Sequence, residues 1–176
     1  MTDTRLDILD TAEQRMRDVG YHSVSFRDLA DDLGIKSASV HYHFRRKEHL
    51  GVELVRRYAN RFFDILEVLV ESGMSPIEAF AQAYRRAFLK NHSGCLCGML
   101  ASEARGLPQE VSDEVTKFMD HSIDWVVNAL PSDMDDATRR QAAVQVLASL
   151  QGAMMLAVSQ NDPWMLDAIV EGLIPE

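Results

Sequence analysis

Residues 25–50 read SFRDLADDLGIKSASVHYHFRRKEHL, and the pattern of this stretch decides the fold. Ser25 stands three residues before Asp28, which is the spacing of a capping box at the start of a helix. The apolar side chains that follow share one face at helical spacing: Phe26, Leu29, Ala30 and Leu33. Gly34 is suited to end this helix because glycine readily adopts the left-handed conformation found at helix ends. The first half of the stretch therefore predicts a short, well-capped helix.

The second half of the stretch predicts another short helix over residues 37–44, with Val40 and Phe44 facing inward. The outward side chains are polar, short or aromatic, and they can reach phosphates or base edges: Lys36, Ser37, Ser39, His41, Tyr42 and His43. No acidic residue occurs over residues 34–47, as approach to a polyanion requires. Two short helices joined by a glycine-containing turn are typical of a helix-turn-helix, which we place at residues 25–44.

The remainder of the chain is also predicted to be helical. Apolar residues recur at helical spacing, and no window alternates polar and apolar residues over the length of a strand. The first helix is predicted over residues 4–19, the fourth from Lys47 past Leu69, and a short sixth helix from Cys95 to about Arg105. We predict nine helices, three in a small N-terminal part and six beyond it, so the fold class is all-α.

The distribution of charge permits DNA binding even though the chain is acidic. The 176 residues carry a formal net charge of −9, which taken alone argues against a nucleic-acid partner. Residues 34–49, however, contain one acidic residue, Glu48, and four basic ones: Lys36, Arg45, Arg46 and Lys47. A local basic patch, rather than the net charge, decides whether phosphate can dock.

Three features of the sequence predict a cytoplasmic protein without a membrane span. The N-terminus lacks the apolar core of a signal peptide. The most apolar stretch, residues 142–158, contains Gln145, Ser149 and Gln151, and is too short and too polar to cross a bilayer comfortably. The two cysteines, Cys95 and Cys97, stand too close together to form a disulfide framework.

Residues 25–50 resemble the tetracycline-repressor (TetR/AcrR) family of transcriptional regulators. That family combines a Thr/Ser cap, a second helix ending near Gly-Val, a recognition helix ending in Tyr-x-His-Phe, and a Lys-Glu-x-Leu start of the fourth helix. With the first helix, the match covers residues 5–50. The resemblance implies a three-helix DNA-binding domain over residues 1–48, with its helix-turn-helix at 25–44, and a six-helix effector-binding and dimerisation domain over residues 49–176.

The resemblance also implies a function. It describes a repressor that binds double-stranded operator DNA at a palindrome and is released when a small-molecule effector pivots the fourth helix. The last two helices would form a homodimer, and the small residues between Ala142 and Ala157 would permit close helix packing within or between chains. We expect no enzymatic activity, no metal and no cofactor, because the chain lacks an acid–base–nucleophile set and any cofactor fingerprint.

The family's DNA-contacting positions fall on ten residues of this chain: Ser25, Arg27, Lys36, Ser37, Ser39, His41, Tyr42, His43, Arg46 and Lys47. Tyr42, His43, Lys47 and the capping residue Ser25 would contact phosphates. The residues that would face base edges are Lys36, Ser37, Ser39 and His41. The sequence departs from the family at Ala38, where the family often has glycine, and at Arg46, where it usually has a Ser or Thr cap. Arg46 would therefore be an extra phosphate anchor or a modest loss of helix stability.

The effector pocket is predicted in the core of the C-terminal domain, where aromatic and methionine side chains recur at helical spacing. Most of these side chains are also expected to be ordinary core, and Glu103 and His121 are candidate polar contacts. The predicted pocket residues are Phe62, Tyr84, Phe88, Met99, Glu103, Phe118, His121, Trp125 and Met154.

Cys95 and Cys97 leave three interpretations open. Buried structural thiols are the commonest case. A sensor of electrophiles or oxidants is the second, because Cys95 would lie in the first turn of a helix, with His92 nearby. A metal site is the third, although the ligand set is incomplete. The alternative functions are therefore a thiol-sensing regulator of the same fold, or a small helical thiol protein or adaptor without specific DNA binding.

Overall fold

The computed structural model describes residues 3–173, and the regular elements in this range are all α-helices. Their bounds are α1 Thr4–Val19, α2 Phe26–Leu33, α3 Ser37–His43, α4 Lys47–Glu71, α5 Pro76–Asn91, α6 Leu96–Ser102, α7 Gln109–Ala129, α8 Asp136–Gln160 and α9 Trp164–Leu173. Within the described residues the all-α class and the nine helices predicted from the sequence are confirmed. The outermost residues of the two predicted domains, 1–2 and 174–176, lie outside the described range.

The first of two compact units consists of residues up to 59 together with residues 96–116. In it α1 packs on α2, α3 and α6. Its core is formed by fully buried apolar side chains from α1, α2, α3 and α4: Ile8, Leu9, Ala12, Met16, Leu29, Val40, Leu50 and Leu54. The three N-terminal helices thus share a unit with α6 and the start of α7. The domain boundary after residue 48 stays a prediction.

Local signals in the sequence explain where the first helices begin and end. Asp3 caps α1 by accepting a hydrogen bond from the backbone N–H of Arg5 at 3.0 Å. Ser25 and Asp28 form the expected capping box, because the Ser25 hydroxyl accepts from the Asp28 N–H at 3.2 Å and Asp28 accepts from the Ser25 N–H at 2.8 Å. Gly34 ends α2 in the left-handed conformation, with φ +63°.

Replacing Ser25 with alanine is expected to destabilise the protein by about 1 kcal/mol. The Asp28 N–H loses its acceptor, and the Asp28 carboxylate loses the bond that the Ser25 hydroxyl donates. The measurement is urea unfolding followed by circular dichroism. As a control, Ser23→Ala changes an exposed serine two positions away and outside the helix. An unchanged unfolding midpoint for Ser25→Ala would show that the capping box contributes nothing.

The second unit consists of residues 60–95 together with those from 117 onward. In it α5 packs on α8 and α9, and α8 packs on α9. The centre is an aromatic cluster in which the ring of Phe62 meets three other rings edge-on, at centroid distances of 5.4–5.8 Å: Phe80, Tyr84 and Phe118. Edge-to-face contacts of this kind add to the stabilisation that burial supplies.

Helix α8 is apolar on two sides. Its buried side consists mainly of small and apolar residues packed within the chain: Ala143, Leu147, Leu150, Ala153, Met154 and Ala157. Its exposed side includes Val144, Met155 and Leu156. Among the described helices it alone is long and apolar enough to cross a membrane, with a mean hydropathy of 1.5. Residues 142–158, which the sequence predicted to be too short for a span, are thus part of a longer helix. Core helices of soluble proteins can have the same length and hydropathy, so these two properties are weak evidence for a membrane span.

Candidate nucleic-acid interface

Two buried side chains fix the orientation of α3. Val40 and Phe44 are 0% and 2% exposed, and the guanidinium carbon of Arg5 lies 5.0 Å from the centre of the Phe44 ring. The Ile35 N–H donates to the Ala30 carbonyl at 3.0 Å, which closes the turn between α2 and α3. With its inner face anchored in this way, α3 presents a defined outer face.

The outer face of α3 carries the residues that the sequence predicted for DNA contact. Tyr42 is 84% exposed, and its ring meets the His43 ring edge-on at 5.2 Å. Lys36 and His41 are also exposed, and Ser37, Ser39 and His43 are half-buried. The His41 ring rests edge-on against Phe26 at 4.9 Å, which limits the positions the imidazole can take. Four of these six residues, Lys36, Ser39, Tyr42 and His43, line one groove, whereas His41 rests against α2.

An open groove of about 390 Å³ runs between α3 and the start of α1. It is lined by Thr4, Ile35, Lys36, Ala38, Ser39, Tyr42 and His43. Thr4 did not emerge from the sequence as a site residue, because the helix-turn-helix pattern begins about twenty residues later. Its position in the first turn of α1 adds a hydroxyl to the polar side of the groove.

The acidic side chains of α2 are engaged by partners within the first unit. Arg15 forms an ion pair with Asp32, and Arg27 lies 3.9 Å from Asp31. Asp28 belongs to the capping box, and the hydrogen bonds from Ser25 hold the pKa of this carboxyl below its ordinary value of 3.8. The stability that this charged carboxyl contributes is present above pH 3.8 and is lost as the pH falls through its lowered pKa. The partners of the three α2 carboxylates are therefore Arg15, Arg27 and Ser25.

The structure places Arg46 at the N-cap position of α4, since its carbonyl accepts from the Leu50 N–H at 3.3 Å. Its guanidinium lies 3.0 Å from the His49 ring nitrogen and 3.7 Å from the Glu110 carboxylate. Arg27 stands on α2 with its side chain 87% exposed. Both arginines are at the surface and each lies within 4.0 Å of a carboxylate, Glu110 for Arg46 and Asp31 for Arg27, but the Arg27 side chain is the more exposed of the two.

Lys47 is held in place by an aromatic ring. Its ammonium nitrogen lies 4.3 Å from the centre of the Tyr21 ring, and partial burial lowers the pKa of Lys47, opposed by the negative charges of Glu103 and Glu48. The Tyr21 hydroxyl is buried without a hydrogen-bond partner in the described part of the chain, and burial raises its pKa to about 12. The cation expected to clamp a phosphate is thus seated at a fixed position at the start of α4.

Glu103, which the sequence predicted as a polar effector contact, lies in the first unit just beyond α6. Its carboxylate accepts from the Tyr21 backbone N–H at 2.9 Å and from the His22 backbone N–H at 3.4 Å. These donors follow the end of α1 in the first unit.

The other predicted effector residues are divided between two places. Five are buried in the second unit: Phe62, Tyr84, Phe88, Phe118 and Met154. His121 is exposed and stacks on the ring of Phe63 at 3.8 Å, whereas Met99 is half-buried on α6 of the first unit. Trp125 lines a groove of about 250 Å³ with Val70, Pro76, Asn128 and Ala129, and its indole N–H is buried without a hydrogen-bond partner among the described residues.

Cys95 and Cys97 are 2% and 0% exposed and form no disulfide with each other. Because α6 begins at Leu96, Cys95 immediately precedes the helix instead of lying in its first turn. Buried thiols react slowly with electrophiles, so this burial favours the structural interpretation. Among the described residues no group of three or more potential metal-binding side chains comes together.

Comparison with known proteins decides the family. Residues 8–54 match the family model of bacterial regulatory proteins of the tetR family, and residues 69–172 match that of the C-terminal domain of LmrA/YxaF-like transcriptional regulators. This chain belongs to the tetR family. The resemblance drawn from residues 25–50 is thus confirmed, and the protein is a DNA-binding transcriptional regulator and not an enzyme.

Solved structures and a curated relative agree with this assignment. A TetR transcriptional regulator from Legionella pneumophila has a TM-score of 0.90 at 27% identity, over 98% of this chain and 96% of that one. A TetR-family regulator from Agrobacterium tumefaciens has a TM-score of 0.85 at 27% identity, over 96% and 94%. The HTH-type transcriptional repressor KstR2 of Mycolicibacterium smegmatis is 29% identical over 84 residues, 48% of this chain and 41% of that protein. The chain spans less than half the length of the curated relatives it matches.

Proposed function

We propose that this tetR-family regulator represses transcription as a homodimer, which binds palindromic operator DNA through α3 and releases it when a small molecule binds in the second unit. The observation that carries the proposal is the outer face of α3, where an acid-free row of polar and aromatic side chains surrounds the 84% exposed Tyr42. Repression is supported by the curated relatives, which are transcriptional repressors.

The proposed DNA-contacting residues form two groups, one that faces bases and one that contacts phosphates. Lys36 and Ser39 line the groove beside the start of the helix, where recognition helices approach base edges, and lysine pairs well with the acceptors of guanine. Tyr42, His43 and Lys47 lie towards the end of α3 and the start of α4, where their donors can meet phosphate oxygens. In this arrangement the contacts to phosphates position the protein on the duplex, and the contacts to bases select the sequence.

A second copy of the chain is the occupant proposed for the exposed side of α8. Val144, Met155, Leu156 and Val158 are 44%, 62%, 50% and 39% exposed, and Trp164 at the start of α9 is 63% exposed. A Cβ atom added at Gly152 would meet nothing within 4 Å, so this position leaves room for another helix. Two copies paired here would offer two recognition helices to a symmetric site, about 34–36 Å apart for half-sites one DNA turn apart.

The effector is proposed to bind among the aromatic rings of the second unit. Phe62, together with Phe80 and Phe118, which both contact it in the buried cluster, would line the site with apolar rings. The Tyr84 hydroxyl, which accepts from the Gln151 amide at 3.0 Å, would provide a polar group. These features suit a small, mainly apolar molecule with one hydrogen-bonding group. To lower operator occupancy a hundredfold, such a molecule must favour the DNA-free state by about 2.7 kcal/mol.

The test is fluorescence anisotropy with labelled duplexes from the region upstream of the protein's own gene. We expect one region to bind far more tightly than scrambled DNA, with an affinity that falls steeply as salt is raised. Lys36→Ala is expected to weaken specific binding at least tenfold, whereas Arg86→Ala, an equal change of charge at an exposed residue of α5, is expected to have little effect. Equal affinity for specific and scrambled DNA would contradict the proposal.

A further inference from the structure

The turn that follows α1 is held by a carboxylate from a distant part of the sequence. Glu103, just beyond α6, accepts from the Tyr21 N–H at 2.9 Å and from the His22 N–H at 3.4 Å. The His22 ring nitrogen also lies 3.9 Å from the same carboxylate. Hydrogen bonds to a charged acceptor are stronger than neutral ones, so this single side chain sets the path of the turn.

Glycine residues on both sides leave space for this contact. Gly20 has φ +81°, and a Cβ atom there would lie 2.0 Å from the Glu103 carboxylate oxygen. A Cβ atom at Gly106 would lie 2.9 Å from the His22 ring nitrogen. A larger residue at Gly20 would displace the Glu103 carboxylate, and one at Gly106 would displace the His22 ring. The close approach of these two segments is therefore built into both of them.

The same turn supports a residue that we propose to contact DNA. The Tyr21 ring lies under the Lys47 ammonium at 4.3 Å, an arrangement in which the ring face attracts the cation. The negative charge of Glu103 also favours the charged form of Lys47. The contacts thus form a continuous path within the first unit, from the Glu103 carboxylate through the Tyr21 backbone and ring to the Lys47 ammonium.

We propose that Glu103 is a positioning residue for DNA binding, whose carboxylate holds the Tyr21 turn and thereby keeps the Lys47 ammonium in place for an operator phosphate. This inference rests on the proposed function, since it requires Lys47 to contact DNA. The effect on DNA affinity that this proposal predicts for loss of the Glu103 charge is opposite to the ordinary one. Removing a negative charge from a protein ordinarily strengthens its binding to a polyanion, whereas removing this one weakens it.

The experiment measures the affinity of the full chain for its operator duplex across a series of salt concentrations. Glu103→Ala is expected to weaken binding about fivefold near 0.15 M salt and to reduce the slope of log affinity against log salt by about 0.9, the value of one phosphate contact. Lys47→Ala is expected to give the same change of slope. In the double variant the two effects should not add, because both remove one contact.

Asp113→Asn is the matched control, because it removes one negative charge from an exposed aspartate of α7 in the same unit. It is expected to leave the slope unchanged and the affinity equal or slightly higher. Glu103→Gln keeps the size of the side chain. If Glu103→Ala fails to fold, the same affinity and salt-slope measurements are made on Glu103→Gln. Its amide can serve the Tyr21 N–H but offers a donor where His22 needs an acceptor, so binding should again weaken and the slope should again fall.

The inference is overturned if the folded Glu103 variants bind like Asp113→Asn with an unchanged slope while Lys47→Ala loses affinity. In that case the proposed function stands and only the positioning role falls. If the wild-type chain shows no sequence-specific binding, or if Lys47→Ala changes neither affinity nor slope, the phosphate contact itself is refuted and the inference falls with it. The Lys47 measurement therefore separates the two failures.

Discussion

Replacing Tyr42 and Lys47 together with alanine is expected to lower the affinity for operator DNA at least 100-fold. The loss corresponds to about 2.7 kcal/mol, which the removal of two phosphate contacts, one near the end of α3 and one at the start of α4, can account for. Because Tyr42 is 84% exposed and Lys47 is only half-buried, the helices should stay folded. Anisotropy at several salt concentrations measures the affinity, and thermal unfolding confirms that the variant is intact.

The matched control for this variant is Arg86→Ala combined with Leu89→Ala. It removes one cation and one exposed apolar side chain from α5 of the second unit, and we expect the affinity for DNA to be unchanged within a factor of two or so. Full affinity in the Tyr42→Ala, Lys47→Ala variant would show that α3 and the start of α4 do not face the duplex.

The second large effect is expected from Met155→Asp combined with Leu156→Asp, which should convert the dimer into monomers at micromolar concentration. Both side chains are exposed in the single chain, at 62% and 50%, so the folded protomer can tolerate the carboxylates. In a dimer paired through α8 each substitution would bury a charge without a partner, at a cost of several kcal/mol per charge. Sedimentation velocity measures the change of mass.

Operator binding by this variant should fall at least 100-fold, since a single recognition helix cannot read both halves of a palindrome. Leu89→Asp, which places a carboxylate at a 41% exposed leucine of α5, is the control and should remain dimeric. A stable dimer in the Met155→Asp, Leu156→Asp variant would place the dimer interface on another surface and refute this part of the proposal.

The elements governed by short-range rules were predictable from the sequence. The capping box at Ser25 and the glycine at residue 34 define α2, and the apolar spacing of Val40 and Phe44 defines the buried side of α3. These features depend on residues within about five positions of each other, so no knowledge of the tertiary fold is needed. The bounds of α1 and α2 agree with the prediction, and α3 ends one residue early, at His43.

The contacts that depend on distant residues were not predictable. Glu103 and Tyr21 are separated by 82 positions, and nothing local to Glu103 marks it as the partner of the turn after α1. The sequence also predicted that α6 reaches about residue 105, but the helix ends at Ser102. Glu103 lies in the turn that follows, which also contains Gly106. The spacing of Gly20 and Gly106 signals two turns but not that they face each other.

The candidate effector residues show the same limit. Helical spacing correctly placed Phe62, Tyr84 and Phe118 in an apolar interior, because periodicity reports which side of a helix is buried. It does not report which neighbouring helix a side chain meets, so Met99 and Glu103 were grouped with residues of the other unit. Which of the buried rings would contact a ligand depends on packing that sequence periodicity does not encode.

Selection of binding sites from a random duplex library by the wild-type protein tests the central claim most directly. The account predicts enrichment of an inverted repeat, bound by two chains, with binding lost when either half is scrambled. It further predicts that the Tyr42→Ala, Lys47→Ala variant enriches nothing under the same conditions. Enrichment of no sequence by the wild-type protein, or of a single unrepeated site bound by one chain, would contradict it.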